Sequence, residues 1–185
     1  MRRKEVLVGA LASDNEEVRS AAAKSLEQLD IWESISRIEG VLISGDKMDK
    51  LRALCSLDKL RGPRVLGLLQ KTAKDPVEDV RSTTMRILGI VGDNRVVPIL
   101  IEALKDKSVM VQREALDSCL KFRDVRCLNP VIELLKSPDD GVLERAIEVV
   151  GSLGDKSTEA VIMGYATGEK VGPKLRAIRA LGFME

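Results

Sequence analysis

Histidine is absent from this 185-residue chain, and only Trp32, Phe122, Tyr165 and Phe183 are aromatic. Without an imidazole there is no Ser–His or Cys–His nucleophilic pair, and the commonest metal ligand is missing. With so few rings, the core must be built from Leu, Ile, Val and Ala, which favours helices packed closely on helices. No apolar run approaches the roughly 18 residues that a membrane span needs. The formal net charge is +1, so there is no global attraction to nucleic acid or to an anionic membrane. Cys55, Cys119 and Cys127 are odd in number and lack metal-ligand spacing. They read as reduced thiols of a cytoplasmic protein. No glycine-rich phosphate loop is present, and neither a cofactor nor a metal is expected. The N-terminal stretch MRRKEVLVGALAS has the outline of a signal peptide. However, Glu5 interrupts it and it runs on into a repeat, so it reads as a first helix.

What the chain does have is self-similarity. Aligned on itself with a shift of 31 residues it gives six copies without a gap, over 1–30, 31–61, 62–92, 93–123, 124–154 and 155–185. One column reads Ala22, Ala53, Thr84, Ala115, Ala146, Ala177. Four places on comes Leu26, Leu57, Leu88, Cys119, Val150, Leu181, and three further on Leu29, Leu60, Val91, Phe122, Leu153, Met184. Spacings of four and three put these columns on one face of a helix. A second set lies earlier in each copy: Leu7, Ile38, Leu69, Leu100, Val131, Ile162, then Leu11, Leu42, Ala73, Leu104, Leu135, Ala166. Each copy is therefore two amphipathic helices, with the small column allowing close backbone approach.

The punctuation fits. Ser13, Ser44, Asp75, Asp106, Ser137 and Gly168 are expected as N-caps of the second helices, with Pro76 and Pro138 at the first helical position. Gly62, Gly92 and Gly154 supply turns, and Asp93, Asp124 and Asp155 stand where the next copy begins. A two-helix unit cannot bury its apolar face alone, so the units must stack. The fold class is all-α, a single α-solenoid domain of six two-helix repeats.

These residues also carry a family resemblance. Val18-Arg19, Val80-Arg81, Gly89, Gly92-Asp93, Val97-Pro98 and Leu100-Ile101 resemble the short HEAT repeats named after phycobilisome lyase subunits. The likeness covers the whole chain. Copy two departs most: Asp49 replaces the Val and Arg61-Gly62 replaces Gly-Asp. The resemblance implies stacked second helices lining a concave face and a role in binding other proteins. It also offers an accessory subunit of an enzyme such as a chromophore lyase and, more distantly, nucleic-acid binding as in DNA glycosylases on related repeats. The missing histidine argues against the iron-dependent hydroxylases of the same repeat family.

The acidic pairs Glu16-Glu17, Glu78-Asp79 and Asp139-Asp140 fall in first turns of second helices, where negative charge suits the helix dipole. Arg19, Lys50, Arg81 and Lys174 share a column and read, with the turn aspartates, as a ladder linking neighbouring copies. Trp32 reads as packed under a loop. Function is sought instead on the outer side of the second helices. Three columns there hold eight basic residues (Lys24, Arg52, Lys59, Arg86, Lys121, Arg145, Arg176, Arg179) against Glu114, Asp117 and Glu148, a surplus of +5. Arg52, Arg86, Lys121, Arg145, Arg176 and Arg179 are the candidate partner-binding residues. The expected function is a non-catalytic, cytoplasmic protein-interaction scaffold, with an acidic protein segment as partner. Self-association is expected through the C-terminal copy, where Leu175, Phe183 and Met184 make a poor cap, unless a longer chain was cut there.

Overall fold

The computed structural model describes residues 2–154 and 156–182. Asp155, Phe183 and Met184, named above, lie outside them. The described residues form eleven α-helices: α1 (Arg2–Ala10), α2 (Glu16–Ser44), α3 (Lys47–Leu57), α4 (Pro63–Thr72), α5 (Glu78–Val91), α6 (Val97–Ala103), α7 (Val109–Phe122), α8 (Leu128–Leu134), α9 (Asp140–Leu153), α10 (Lys156–Ala166) and α11 (Val171–Leu181). Short 3-10 turns at Asn94–Val96 and Val125–Cys127 lead into α6 and α8. The second helices α3, α5, α7, α9 and α11 pack side by side in that order, and α4, α6, α8 and α10 each lie against the second helix of their own copy. The fold is an α-solenoid.

The repeated columns are its core. Thr84, Ala115, Ala146 and Ala177 are fully buried, as are Leu57, Leu88, Cys119 and Val150, and Leu69, Leu100, Val131 and Ile162. Thr84 satisfies its hydroxyl locally by donating to the Val80 carbonyl oxygen at 2.7 Å. A polar residue thus stands in an alanine column without an orphaned group.

The first copy departs from the rule. No turn marks the boundary between copies 1–30 and 31–61, and α2 runs unbroken for 29 residues. Where later copies read Val91-Gly92-Asp93 or Phe122-Arg123-Asp124, this junction reads Leu29-Asp30-Ile31. It has no glycine to take a left-handed turn and no aspartate to cap a new helix. Helix α1 and the start of α2 form an under-buried end. Helix α1 buries no residue fully, and Leu11, expected in the core, is exposed. Trp32, expected under a loop, is 56% exposed because no loop among the described residues covers this face.

The caps lie two residues later than the sequence suggested. Asn15, Asp46, Ser108 and Asp139 cap α2, α3, α7 and α9. The expected caps act one step earlier: Ser13, Asp75, Asp106 and Ser137 accept from the backbone N–H two residues on. Such side-chain turns carry the chain across the loop before the helix begins. Pro76 and Pro138 therefore sit in the loop, because the residue before a proline is disfavoured in the helical region. Ser44 ends α2 instead, and Gly168 lies in the turn ahead of Lys170.

Candidate protein-binding face

The interlayer ladder exists in part, with partners other than the turn aspartates: Lys50 and Arg81 reach the next copy, whereas Arg19 bonds carbonyls of its own copy and Lys174 has no ion pair among the described residues. Lys50 pairs with Asp75 at 2.7 Å, and Arg81 pairs with Asp106 through Nε at 2.7 Å and Nη2 at 2.9 Å. Arg113 grips Asp139 in the same way. Arg19, Arg81 and Gln112 share one further task, each reaching a backbone carbonyl six residues upstream. Asp93 and Asp124 instead hold Arg95 and Arg126 within their own copies. The hydrogen bonds from Arg95 bring the Asp93 carboxyl down to about 2.

On the outer stripe, acids and bases interlock between layers. Asp117 on α7 accepts from Arg145 on α9 at 2.9 Å, and Glu148 on α9 accepts from Arg176 on α11 at 2.9 Å. Both pairs span 28 residues, so a side chain meets the next copy one helical turn short of its own column. Arg176 also lies 3.7 Å from Glu144. Glu114 is part-buried. Burial, and then Asp117, push its carboxyl above the ordinary value, while Arg86, Arg145 and Lys121 pull it back.

The six candidate bases are thus differently placed. Arg52 is highly exposed and pairs at 3.5 Å with Asp49 of its own helix. Arg145 and Arg176 are tied up across layers. Among the described residues Arg86, Lys121 and Arg179 have no ion pair. Arg176 and Arg179 converge with Arg123 on one cavity of about 390 Å³, lined also by Leu120, Glu148, Gly151, Ser152 and Ala180. It lies where α7, α9 and α11 meet, and Glu148 is its single carboxylate among the described residues.

Sequence reasoning passed over Arg123. It closes α7 in the left-handed conformation, φ 50° and ψ 40°, and its amide donates to the Cys119 carbonyl oxygen. Gly92 fills the same place at φ 69°. An arginine there costs about 1–2 kcal/mol relative to right-handed backbone, and strain of this kind is often kept where function needs the side chain. The signal was in the column: a bulky residue where two other copies have glycine. Arg123→Gly should raise stability by about 0.5–1 kcal/mol in urea unfolding while removing a cation from the cavity. A loss of stability would show that the arginine is held there for packing.

A second concavity of about 430 Å³ lies at the N-terminal end, against Arg3, Leu7, Lys24, Gln28 and Trp32. Among the described residues no three His, Cys, Asp or Glu side chains gather in a way that could hold a metal ion. No described helix is long and apolar enough to cross a membrane.

Comparison with known structures agrees with this architecture. Human deoxyhypusine hydroxylase in complex with glycerol superposes with a TM-score of 0.62 at 19% identity, over 86% of this chain and 65% of that one. The chain thus spans about two thirds of the hydroxylase's length. The CpcE and CpcF complex of phycocyanin lyase from Nostoc sp. gives 0.62 at 16% identity, over 80% and 98% of the two chains. A designed armadillo repeat protein in complex with the peptide (KR)4 gives 0.57 at 15% identity, over 95% and 97%. At these identities the likeness speaks for the fold alone. No curated protein matches the chain. The model of HEAT repeats matches residues 36–121 and again 97–182. Together with the stacked helix pairs, this makes the chain a member of the HEAT-repeat family.

Proposed function

We propose that this protein is a non-catalytic, cytoplasmic scaffold that holds an acidic segment of a partner protein along the face of its second helices. The observation that carries the reading is the cavity shared by Arg123, Arg176 and Arg179, with Glu148 as its only acid among the described residues. Arg176 is engaged by Glu148 and Arg123 gives one N–H to the Ser152 carbonyl oxygen at 3.4 Å, which leaves Arg179 and the remaining donors of Arg123 to meet an incoming carboxylate. Their planar, forked donors suit that geometry. Beyond the cavity Lys121 and Arg86 continue the same side, while Asp117 and Glu148 neutralise Arg145 and Arg176. The face is therefore a row of separated cationic points, which suits spaced carboxylates better than the uniform charge of a nucleic acid backbone. A designed armadillo repeat protein of similar fold is in complex with a peptide, (KR)4.

A fluorescent peptide of alternating Asp and Glu tests the reading directly. Binding to the full chain should weaken as salt rises and fall about tenfold or more in Arg179→Glu, a change that breaks no ion pair among the described residues. Adding Arg176→Glu should weaken it further, with folding checked by circular dichroism because Glu148 then faces a like charge. Equal affinity in Arg179→Glu and the parent would remove the cavity from consideration. An accessory enzyme subunit is the second reading, favoured by the fold match over 98% of a phycocyanin lyase chain. An absorbing chromophore that co-purifies with the protein would support it over the first.

A further inference from the structure

Four successive second helices bury the same apolar column against the layer that follows: Leu54, Met85, Leu116 and Ile147 are each 0% exposed. The next member, Ile178 on α11, is 53% exposed. Leu175 and Val171 beside it are also exposed. The outward face of α11 is thus built like an interior contact and left open among the described residues.

Its closest internal counterpart is α5. Met85, Arg86 and Gly89 there correspond to Ile178, Arg179 and Gly182 here. Helix α7 covers the α5 face in a defined way. Ser118 donates to the Met85 carbonyl oxygen at 2.9 Å and lies so close over Gly89 that any Cβ there would overlap it. Four residues earlier Glu114 feels the charge of Arg86. From α5 onward each cross-layer rung sets opposite charges together: Arg86 acts on Glu114, Asp117 pairs with Arg145 and Glu148 with Arg176, whereas the two earlier rungs, Lys24 with Arg52 and Cys55 with Thr83, do not. Arg179 is the next rung, with no opposite charge among the described residues.

We infer that the outward face of α11 is a docking surface for a helix pair of a second protein built like α6 and α7, with a carboxylate opposite Arg179 and, four residues on, a small residue opposite Gly182. The charges select this occupant over a second copy. Helix α11 carries Lys174, Arg176 and Arg179 and no acid, so two such faces repel each other. A copy stacked head to tail would bring Ser25 to the place of Ser118, yet Ala21 to the place of Glu114, leaving Arg179 without a partner.

Residues 93–123 of this chain, as a labelled synthetic peptide, are the probe. Titrated against the full chain, they should bind saturably. Binding should fall about tenfold with Ile178→Asp in the protein or Glu114→Lys in the peptide, and return when Glu114→Lys peptide meets Arg179→Glu protein. The same 31 residues joined covalently after Glu185 keep the period and remove weak affinity as an obstacle. There the melting temperature should rise by several degrees, with slowed amide exchange in the added helices. An unchanged melt and fast exchange in the joined form would overturn the proposal, as would equal peptide binding by the parent and Ile178→Asp. A shift to dimers or chains in the unmodified protein on sedimentation would overturn the choice of a second protein over a second copy. Arg179 is common to this surface and to the proposed groove, so Ile178→Asp, which changes no residue lining the cavity, separates the two: it should weaken the added layer and leave the acidic peptide bound.

Discussion

Arg81→Ala is expected to destabilise the protein by about 3 kcal/mol, measured as a lowered urea midpoint. The Arg81 side chain is only 8% exposed and that of Asp106 14%. The guanidinium meets Asp106 with two hydrogen bonds and gives a third N–H to the carbonyl oxygens of Asp75 and Pro76. One side chain thus fastens the loop before α5 to the loop before α7. Asp106 in turn accepts from the Ser108 backbone N–H just ahead of α7. Removing the cation leaves a part-buried carboxylate and two carbonyls without their donors, the costly way to break such a pair. Arg81→Met keeps the apolar stem and should lose nearly as much. If it is as stable as the parent, packing and not the ion pair holds the joint.

The same pair fixes a pH dependence. The hydrogen bonds from Arg81 outweigh burial and hold the Asp106 carboxyl below its ordinary range. A carboxylate depressed in the folded state adds stability that is complete above the unfolded value near 3.9 and is lost as pH falls through the folded value. Asp139 and Asp124, held down by Arg113 and Arg126, act in the same direction. Parent stability should therefore stay level from neutrality to about pH 5 and decline below pH 4. In Arg81→Ala the Asp106 contribution is gone, so the gap between variant and parent should narrow on acidification. A gap as wide at pH 3 as at pH 7 would mean that the pair is not the source of the lost stability.

Gly151→Val is expected to cost about 3 kcal/mol, the upper end of what overpacking usually does. Gly151 is buried on α9 where α11 comes nearest, and a Cβ at this position would overlap the Ala180 methyl. A valine must push α11 outward, opening the layer that carries Arg176 and Arg179. Binding of the acidic peptide should drop with stability, since Gly151 and Ala180 both line the cavity. Ala180→Gly in the same chain should restore part of the loss, a coupling expected only of groups in contact. Gly164→Ala on α10 is the opposing case. A Cβ there meets nothing within 4 Å, and the helix should gain about 0.5–1 kcal/mol. If both substitutions shift thermal melting in the same direction, the close approach of α9 and α11 is not what Gly151 serves.

The sequence by itself determined the period, the two-helix unit and the buried columns. Those follow from side chains three and four apart falling on one helix face and from units that cannot bury that face alone. The long α2 was not read from the period, which places a copy boundary at 30/31; the structure carries one helix across Leu29-Asp30-Ile31, where no glycine stands and Ile31 takes the place of the aspartate. The contacts between layers were decided by tertiary structure. Repeat alignment places Arg145 beside Glu114 and Arg176 beside Arg145, yet stacking sets them against Asp117 and Glu148, 28 residues apart. That offset arises from how one helix lies over the next, which no pattern within a copy encodes. The cavity has the same origin: Arg123 reaches it because α7 ends in a left-handed turn beside the end of α9. Columns report which residues share a face, while the register of packed helices decides which charges cancel and which stay free for a partner.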